Sequence, residues 1–324
     1  MTKEEFIRLV TEHVLEYLPE SYQGKQVEVT ERAKNNDTLL HGLTIHGGKE
    51  GAEAVPMLYL DAYYDSYRFG QENIEDVVHQ IAADYEKAVR SIPSFDLPEM
   101  TKDGIKDKVF VKLVSTRLNS ERLKDLVSLP VDGGFSLTVY IDMNVPRNDA
   151  MIQITKDLAE RMDYPERELV QDAMRNTVEK HPAWLVEMDK VMMNVAGLRA
   201  LTNGDNLLSP EPAEADNLSM LVLTNGDKFF GASALFYPEI QKKIGDVTGG
   251  SYYILPSSVH ELIILPDNGS FNERELAQMV QSVNSSEVQP EEQLGNKVLF
   301  YHAASDRLMV AVDLDREMAR GKER

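Results

Sequence analysis

Apolar residues recur along the chain at the three- and four-residue steps of an amphipathic helix in seven stretches. The first, residues 2–18, gathers its apolar side chains on one stripe, and Thr2 with Glu5 three residues later predicts a capping box. The other predicted helices cover about residues 74–89, 150–161, 165–179, 182–201, 232–245 and 271–284. The pattern therefore predicts helices in every part of the chain.

The helix predicted over residues 182–201 carries a methionine-rich apolar row. Its members recur at helical spacing: Trp184, Met188, Met192, Val195 and Leu198. Because such a row is far more common in protein cores than on ligand-binding surfaces, we interpret it as packing.

Alternation of apolar and polar residues predicts strands between these helices. A hairpin is expected where Val27 and Val29 alternate with charged residues and residues 39–45 follow a turn. Further strands are expected over residues 57–60, 108–116, 135–141, 219–224, 251–256, 260–265, 297–302 and 307–312. The mixture predicts an α+β protein with antiparallel sheets flanked by helices. The βαββαβ order after residue 218 predicts a ferredoxin-like C-terminal part with one extra strand.

A segment with little to bury, residues 203–217, separates the two halves of the chain. It combines Asn-Gly-Asp-Asn with a stretch rich in Pro, Glu and Ala, a composition typical of a linker or a long surface loop. We therefore expect an N-terminal α+β domain over 1–202, this acidic linker, a C-terminal α+β domain over 218–315 and a charged tail over 316–324. The 324 residues suffice for two domains of ordinary size.

The chain carries a formal net charge of -20, spread evenly over both halves. This charge repels nucleic-acid phosphates, so no direct nucleic-acid binding is expected. Two interpretations stay open: an acidic surface that serves solubility, which we favour, or a mimic of nucleic acid.

No apolar run is long enough to cross a bilayer, and the first twenty residues are acidic and amphipathic, unlike an export signal. The chain contains no cysteine, which removes disulfides, thiolate metal sites and cysteine nucleophiles together. A cytoplasmic protein without membrane contact and without a cofactor is expected.

One connection between two predicted strands, residues 255–261 with the sequence Leu-Pro-Ser-Ser-Val-His-Glu, combines hydroxyls, an imidazole and a carboxylate. Ser257 or Ser258 with His260 would supply a nucleophile and a base. On an extended strand Ser258 and His260 share one face and Glu261 points to the other, so Glu261 cannot orient that imidazole. The segment also lacks a Gly-x-Ser-x-Gly elbow, and the pattern favours a tight turn over catalysis.

A candidate binding segment follows the strand predicted over 219–224. Asn225 begins a glycine-containing loop, and Gly231 and Ser233 lie at the predicted start of the next helix. Backbone amides at such a helix start can cradle an anion, although a turn with an N-cap at Ser233 explains the same residues. Glu261, beside His260, is the fourth candidate binding residue.

Metal binding is not expected from the sequence. His41 and His46 fall on opposite faces of one predicted strand, which prevents chelation by the pair. The carboxylates at helical spacing near residues 61–76 lack a histidine partner and are typical of a solvated face.

Several segments resemble a known family. The most specific is the string at residues 255–261, and the others are residues 16–20, 34–36 with 42–45, 58–64, 223–225 with 231–232, 283–284 and 290–292. Together they are similar to a bacterial family of unknown function, domain of unknown function 5688, which is common in gut Firmicutes. The resemblance covers nearly the whole chain except about residues 185–217. It implies a shared fold and a bacterial source, and it brings no activity, substrate or catalytic residue.

The absence of a catalytic signature favours a non-catalytic binding or regulatory protein, whose partner is unknown, with another protein as one candidate. A hydrolase that uses Ser257 or Ser258 with His260 stays open as one alternative. An acidic nucleic-acid mimic is the other.

Overall fold

A computed structural model describes residues 1–46, 55–70, 72–91, 98–143, 151–215 and 218–322. Ala150 at the start of one predicted helix, residues 216–217 of the predicted linker and the last two residues of the predicted tail lie outside the described residues. No helix in the described ranges is long and apolar enough to cross a membrane.

The chain divides into two compact units. The first comprises Met1–Lys34 and Thr38–Asp96, and the second comprises Asn35–Asp37 and Leu97–Arg324. This division differs from the predicted domains over 1–202 and 218–315. Where it is described, the segment predicted as a linker or a long surface loop contributes Leu207 to the core of the second unit.

Over its described residues the first unit contains three α-helices and a three-stranded antiparallel sheet in the order β1-β2-β3. The elements are α1 (Lys3–His13), β1 (Gln26–Ala33), β2 (Leu39–His46), β3 (Leu58–Tyr59), α2 (Asp61–Arg68) and α3 (Ile74–Arg90). The predicted capping box is confirmed, since the Thr2 hydroxyl accepts from Glu5 N–H and the Glu5 carboxylate accepts from Thr2 N–H. The apolar stripes of α1 and α3 pack against β2 and form the core of this unit. This core includes Phe6 from α1 and Ile81 and Tyr85 from α3.

A four-stranded antiparallel sheet opens the second unit, with β6 pairing with each of the others. The elements are α4 (Lys102–Ile105), β4 (Val109–Ser115), β5 (Ser128–Val131), β6 (Phe135–Asp142), β7 (Met151–Gln153), α5 (Lys156–Arg161) and α6 (Glu166–Lys180). Helix α6 packs on β4, where the Thr177 hydroxyl accepts from Val111 N–H at 3.0 Å.

A six-stranded antiparallel sheet in the order β13-β12-β10-β11-β9-β8 completes the second unit. The elements are β8 (Ala183–Glu187), α7 (Met188–Val195), β9 (Leu221–Asn225), α8 (Ile240–Thr248), β10 (Tyr252–Ser258), β11 (Glu261–Pro266), α9 (Glu273–Ser286), β12 (Lys297–His302), β13 (Arg307–Asp313) and α10 (Leu314–Lys322). Three antiparallel sheets with helices confirm the predicted α+β class.

The predicted ferredoxin-like arrangement is wrong, although the βαββαβ order of elements from β9 to β12 is present. A ferredoxin-like sheet would place β12 beside β9. Here β9 pairs with β11 on one side and with β8 on the other, so it has no free edge. Strand β12 pairs with β10 instead.

The helix predicted over 182–201 is also wrong in its first third. Trp184 lies on β8, which pairs with β9, and α7 begins only at Met188. Three members of the methionine-rich row are exposed rather than packed: Met192 by 62%, Val195 by 78% and Leu198 by 79%. The helical spacing arose by chance across a short strand and a short helix, because aromatic and β-branched residues fit both periods.

Candidate functional site

The string at residues 255–261 forms the tight β10–β11 hairpin. Ser258 pairs with Glu261 across a register shift, and Val259 and His260 form the turn. The Ser258 hydroxyl accepts from the N–H of His260 at 3.1 Å, a local bond that closes the turn. Ser258 and Glu261 are therefore arranged around the turn backbone.

The His260 ring is held between two groups. Its Nδ1 accepts from the backbone N–H of Phe230 at 3.2 Å, and its Nε2 lies 3.5 Å from the Glu292 carboxylate. This geometry fixes the tautomer with the proton on Nε2. Burial lowers the pKa of His260 and outweighs the opposing effect of Glu292, while Lys112 lowers the pKa further.

These contacts leave the imidazole without a nucleophile to activate. Its only basic nitrogen accepts a backbone proton, and in the described part of the chain no hydrogen bond joins the ring to Ser257 or Ser258. A general base needs hydrogen-bond reach to the proton that it removes. The structure places Ser258 and His260 side by side without joining them as nucleophile and base, and the hydrolase stays a prediction.

Asn225 folds its own loop. Its amide group donates to Phe229 O at 2.8 Å and accepts from Phe229 N–H at 3.2 Å. Gly231 packs against the hairpin so closely that a Cβ there would lie 2.7 Å from His260 O. Asn225, Gly231 and His260 therefore meet as parts of one packed turn.

Ser233 is fully buried in the same turn, and its hydroxyl donates to Phe230 O at 2.9 Å. The N–H groups of Ala232 and Ser233 donate to Val259 O and Phe230 O. The segment Gly231–Phe236 is a 3-10 helix rather than the start of an α-helix. Because these amides are occupied, the loop offers an anion little to bind.

Three of the segments that carry the family resemblance meet in the second unit. Asn35 and Asn36 donate through their side chains to the carbonyl groups of Glu291 and Pro290 at 2.7 and 2.6 Å. The N–H of Val259 donates to Glu292 O at 2.9 Å. These segments are joined by bonds to backbone, which indicates a structural role for this junction.

The two histidines considered for a metal lie in the first unit with separate partners. His41 Nδ1 lies 3.0 Å from Asp61, and His46 Nε2 lies 3.0 Å from Glu28. No group of three or more possible metal ligands occurs within the described residues.

A different site lies where the two sheets of the second unit approach each other. It is a cleft of about 200 Å³, which we call the Lys297 cleft. Its lining residues come from the end of β4 and the turn after it, the turn before β6, the start of β12, the end of β13 and the start of α10: Ser115, Thr116, Arg117, Gly134, Lys297, Asp313 and Asp315.

Lys297 is the buried charge of this cleft, with only 5% of its surface exposed. Its ammonium donates to Gly133 O at 2.8 Å and to Gly134 O at 3.1 Å, and it lies 3.7 Å from the centre of the Phe135 ring. Both glycines have positive φ, 76° and 73°, which lets their turn present two carbonyl groups to one side chain. No carboxylate of the described residues forms an ion pair with Lys297.

The neighbouring carboxylate of Asp315 is already occupied. It pairs with Arg117 at 2.8 Å and accepts from the backbone and side-chain N–H groups of Asn296 at 2.9 and 2.8 Å. Burial lowers the pKa of Lys297 to about 8, against the weaker opposing effects of Asp313 and Asp315, and Arg117 lowers it further. A buried cation that forms no ion pair with any carboxylate of the described residues therefore borders an open cleft.

The sequence did not indicate this cleft. Its residues come from five segments between Ser115 and Asp315, and none belongs to a recognisable motif. The usable signals were Gly133-Gly134, which predicts a turn, and a lysine at the start of an apolar strand. Neither signal shows that the two features meet.

Fold and site together define an α+β protein with a small cleft in its larger unit, bordered by Lys297, Arg117, Asp313 and Asp315. The model of the family of unknown function DUF5688 matches residues 3–303, and the chain belongs to that family. No curated protein matches the chain, and no solved structure matches it.

Proposed function

We propose that this protein is a non-catalytic binding protein that takes up a small anion in the Lys297 cleft. The observation that carries the proposal is the buried ammonium of Lys297, which borders the cleft without a carboxylate partner among the described residues. Buried charges in proteins are almost always paired. An anionic ligand supplies the missing partner.

Other groups around the cleft support the same ligand class. The Arg117 side chain is half exposed and pairs with Asp315 through one nitrogen, which leaves further N–H donors for an anion. The hydroxyl groups of Ser115 and Thr116 add neutral donors. Two carboxylates, Asp313 and Asp315, also line the cleft, and Asp315 is paired with Arg117. In a chain of net charge -20, donors beside these carboxylates favour a specific ligand over general attraction of anions.

Calorimetric titration with inorganic phosphate and, separately, with malonate at constant ionic strength tests the proposal. We expect saturable binding of at least one of the two anions. Lys297→Met removes the charge at similar volume, and binding should weaken at least about tenfold. Arg117→Gln, at a half-exposed position, should weaken binding to a lesser degree.

Lys243→Met is the matched control, because Lys243 is exposed on α8 and does not line the cleft. It should bind like the wild type. If neither anion binds the wild type, or if Lys297→Met binds as well as Lys243→Met does, the proposal is refuted. Near-ultraviolet circular dichroism verifies that each variant is folded.

The proposed compartment is the cytoplasm. Its support is the absence of cysteine from the sequence, which is typical of proteins that do not depend on disulfides. Cell fractionation of a bacterium that produces the protein tests this location.

A further inference from the structure

The side-chain nitrogen of Lys297 has hydrogen-bond partners that suit a neutral amine. An ammonium has three N–H donors, and a neutral amine has two. Among the described residues Nζ has two hydrogen-bond acceptors, Gly133 O at 2.8 Å and Gly134 O at 3.1 Å, while the Phe135 ring lies on it at 3.7 Å. The neutral amine satisfies both carbonyl groups and keeps its lone pair. That lone pair makes it a nucleophile.

The surroundings of Lys297 favour this neutral form. The side chain is almost entirely buried, and no carboxylate of the described residues forms an ion pair with it. Burial lowers its pKa to about 8, Asp313 and Asp315 oppose this shift, and Arg117 adds to it. At pH 7 about one Lys297 side chain in ten is then a free amine, against about one in three thousand for a lysine with a pKa of 10.5.

Two glycines keep space open beside this amine. A Cβ on Gly134 would lie 3.3 Å from Nζ of Lys297, and a Cβ on Gly295 would lie 4.0 Å from Cε of Lys297 and 3.8 Å from Oγ of Ser115. Gly134, Lys297 and Ser115 all line the cleft of about 200 Å³. Pockets for drug-sized ligands hold about 300–1,000 Å³. The Lys297 cleft therefore suits a compound of a few carbon atoms.

The second cation of the cleft, Arg117, narrows the class of compound. Its guanidinium is half exposed and pairs with Asp315 through one nitrogen, so further N–H groups are left for a carboxylate. The amine of Lys297 needs an electrophilic carbonyl carbon. A 2-oxo acid carries the carbonyl and the carboxylate on adjacent carbons. After a bond forms to nitrogen, the same carboxylate gives the buried cation an anionic partner.

We infer that Lys297 forms a reversible imine with a small 2-oxo acid whose carboxylate binds Arg117. The inference rests on the proposed anion site and names the ligand class of that site. The neutral amine attacks the carbonyl carbon, so that a C–N bond forms and the π electrons of the carbonyl move to its oxygen. Both amine protons end on this oxygen, the C–O bond breaks, and water leaves. The imine nitrogen takes up one proton from solvent, and no oxidant or reductant is consumed.

Reductive trapping tests the inference directly, because sodium cyanoborohydride reduces a protonated imine much faster than a carbonyl at neutral pH. The full chain is incubated at pH 7 with pyruvate or glyoxylate and the reductant, digested, and mapped by mass spectrometry. Lys243 is the matched control, since it is exposed on α8 and does not line the cleft. We expect the occupancy of the reduced adduct at Lys297 to exceed that at Lys243 at least about tenfold.

A second measurement tests the role of Arg117. Acetaldehyde forms an imine but has no carboxylate, so the ratio of pyruvate to acetaldehyde labelling at Lys297 reports the carboxylate contact. Arg117→Gln should lower this ratio at least about fivefold, because a changed acidity of the amine affects both reagents alike. Arg307→Gln, at an exposed position that does not line the cleft, should keep the wild-type ratio.

Three results would each overturn the inference: no adduct at Lys297 with either acid, equal labelling of Lys297 and Lys243, or an unchanged ratio in Arg117→Gln. The calorimetric titration separates this failure from failure of the proposed function. Trapping that fails while phosphate binds overturns the imine alone. A wild type that binds neither phosphate nor malonate overturns the anion site itself.

Discussion

Replacing Lys297 by Met should change how the stability of the protein depends on pH. Burial lowers the pKa of Lys297 from 10.5 to about 8. The unfolded chain therefore holds this proton up to about pH 10.5, whereas the folded protein releases it near pH 8. Between these values the unfolded state binds more protons, so the free energy of unfolding rises with pH.

The size of the effect follows from the same pKa values. A fall from 10.5 to about 8 corresponds to about 3 kcal/mol of stability. The wild type lacks this contribution below pH 8 and should gain it progressively up to about pH 10.5. Lys297→Met carries no proton at this position, so its stability should lack the gain.

Urea unfolding at pH 7, 8, 9 and 10 at one ionic strength measures both curves. The difference between wild type and variant should grow by about 2–3 kcal/mol over this range. Ionisation of buried tyrosines affects both proteins equally and cancels in the difference. Parallel curves would refute the reasoning, because they would show that the two glycine carbonyl groups and the Phe135 ring fully compensate the buried charge.

Three further predictions concern the packed turns of the second unit. Gly231→Ala should lower the free energy of unfolding by about 2–3 kcal/mol in urea titrations, because its Cβ would lie 2.6 Å from the backbone nitrogen of Asn225. Replacing His260 by Gln should flatten the loss of stability below pH 6.5, since the lowered pKa of the folded imidazole lets the unfolded chain take up the proton first; an unchanged acid limb would contradict this. Asn36→Ala should cost about 3 kcal/mol by thermal unfolding, because Asn36 has a φ of 63° and its side chain donates to two carbonyl groups.

Local signals predicted the elements whose partners are close in sequence. Helix α1 was predictable from its stripe and its cap, and the β1–β2 hairpin from alternation around a turn. The region 150–161 was harder, since it contains strand β7 (Met151–Gln153) followed by α5 (Lys156–Arg161). A strand of three residues next to a helix of six is too short to show either the two-residue period of a strand or the 3.6-residue period of a helix.

Strand order was beyond the reach of these signals. Whether β12 joins β9 or β10 depends on β8, which occupies the far edge of β9. The sequence pattern did not reveal β8, because Trp184 and Met188 are spaced as on a helix. In the structure Trp184 lies on β8 and Met188 begins α7. A single misassigned strand therefore changed the predicted topology of the whole C-terminal sheet.

A sequence motif singled out the string at 255–261, whereas no motif singled out the Lys297 cleft. The string at 255–261 gathers reactive residue types, and in the folded chain the Ser258 hydroxyl and His260 Nδ1 accept from the backbone N–H groups of His260 and Phe230. Lys297 has an unremarkable sequence context and only becomes distinctive through burial. The reactive residues of the string at 255–261 therefore have a structural role in the turn. Lys297 is a functional candidate only because of where the fold places it.

The buried charge of Lys297 also separates a structural role from a binding role. A lysine that only tied the Gly133–Gly134 turn would be replaceable by a neutral donor at lower desolvation cost, since an ammonium loses far more on burial than an uncharged group does. Natural proteins retain such costs chiefly where function needs them. If Lys297→Met is at least as stable as the wild type at pH 7 and yet loses anion binding, Lys297 serves binding and does not stabilise the fold. That combination distinguishes a binding cation from a structural one, because a structural cation would lose stability together with binding.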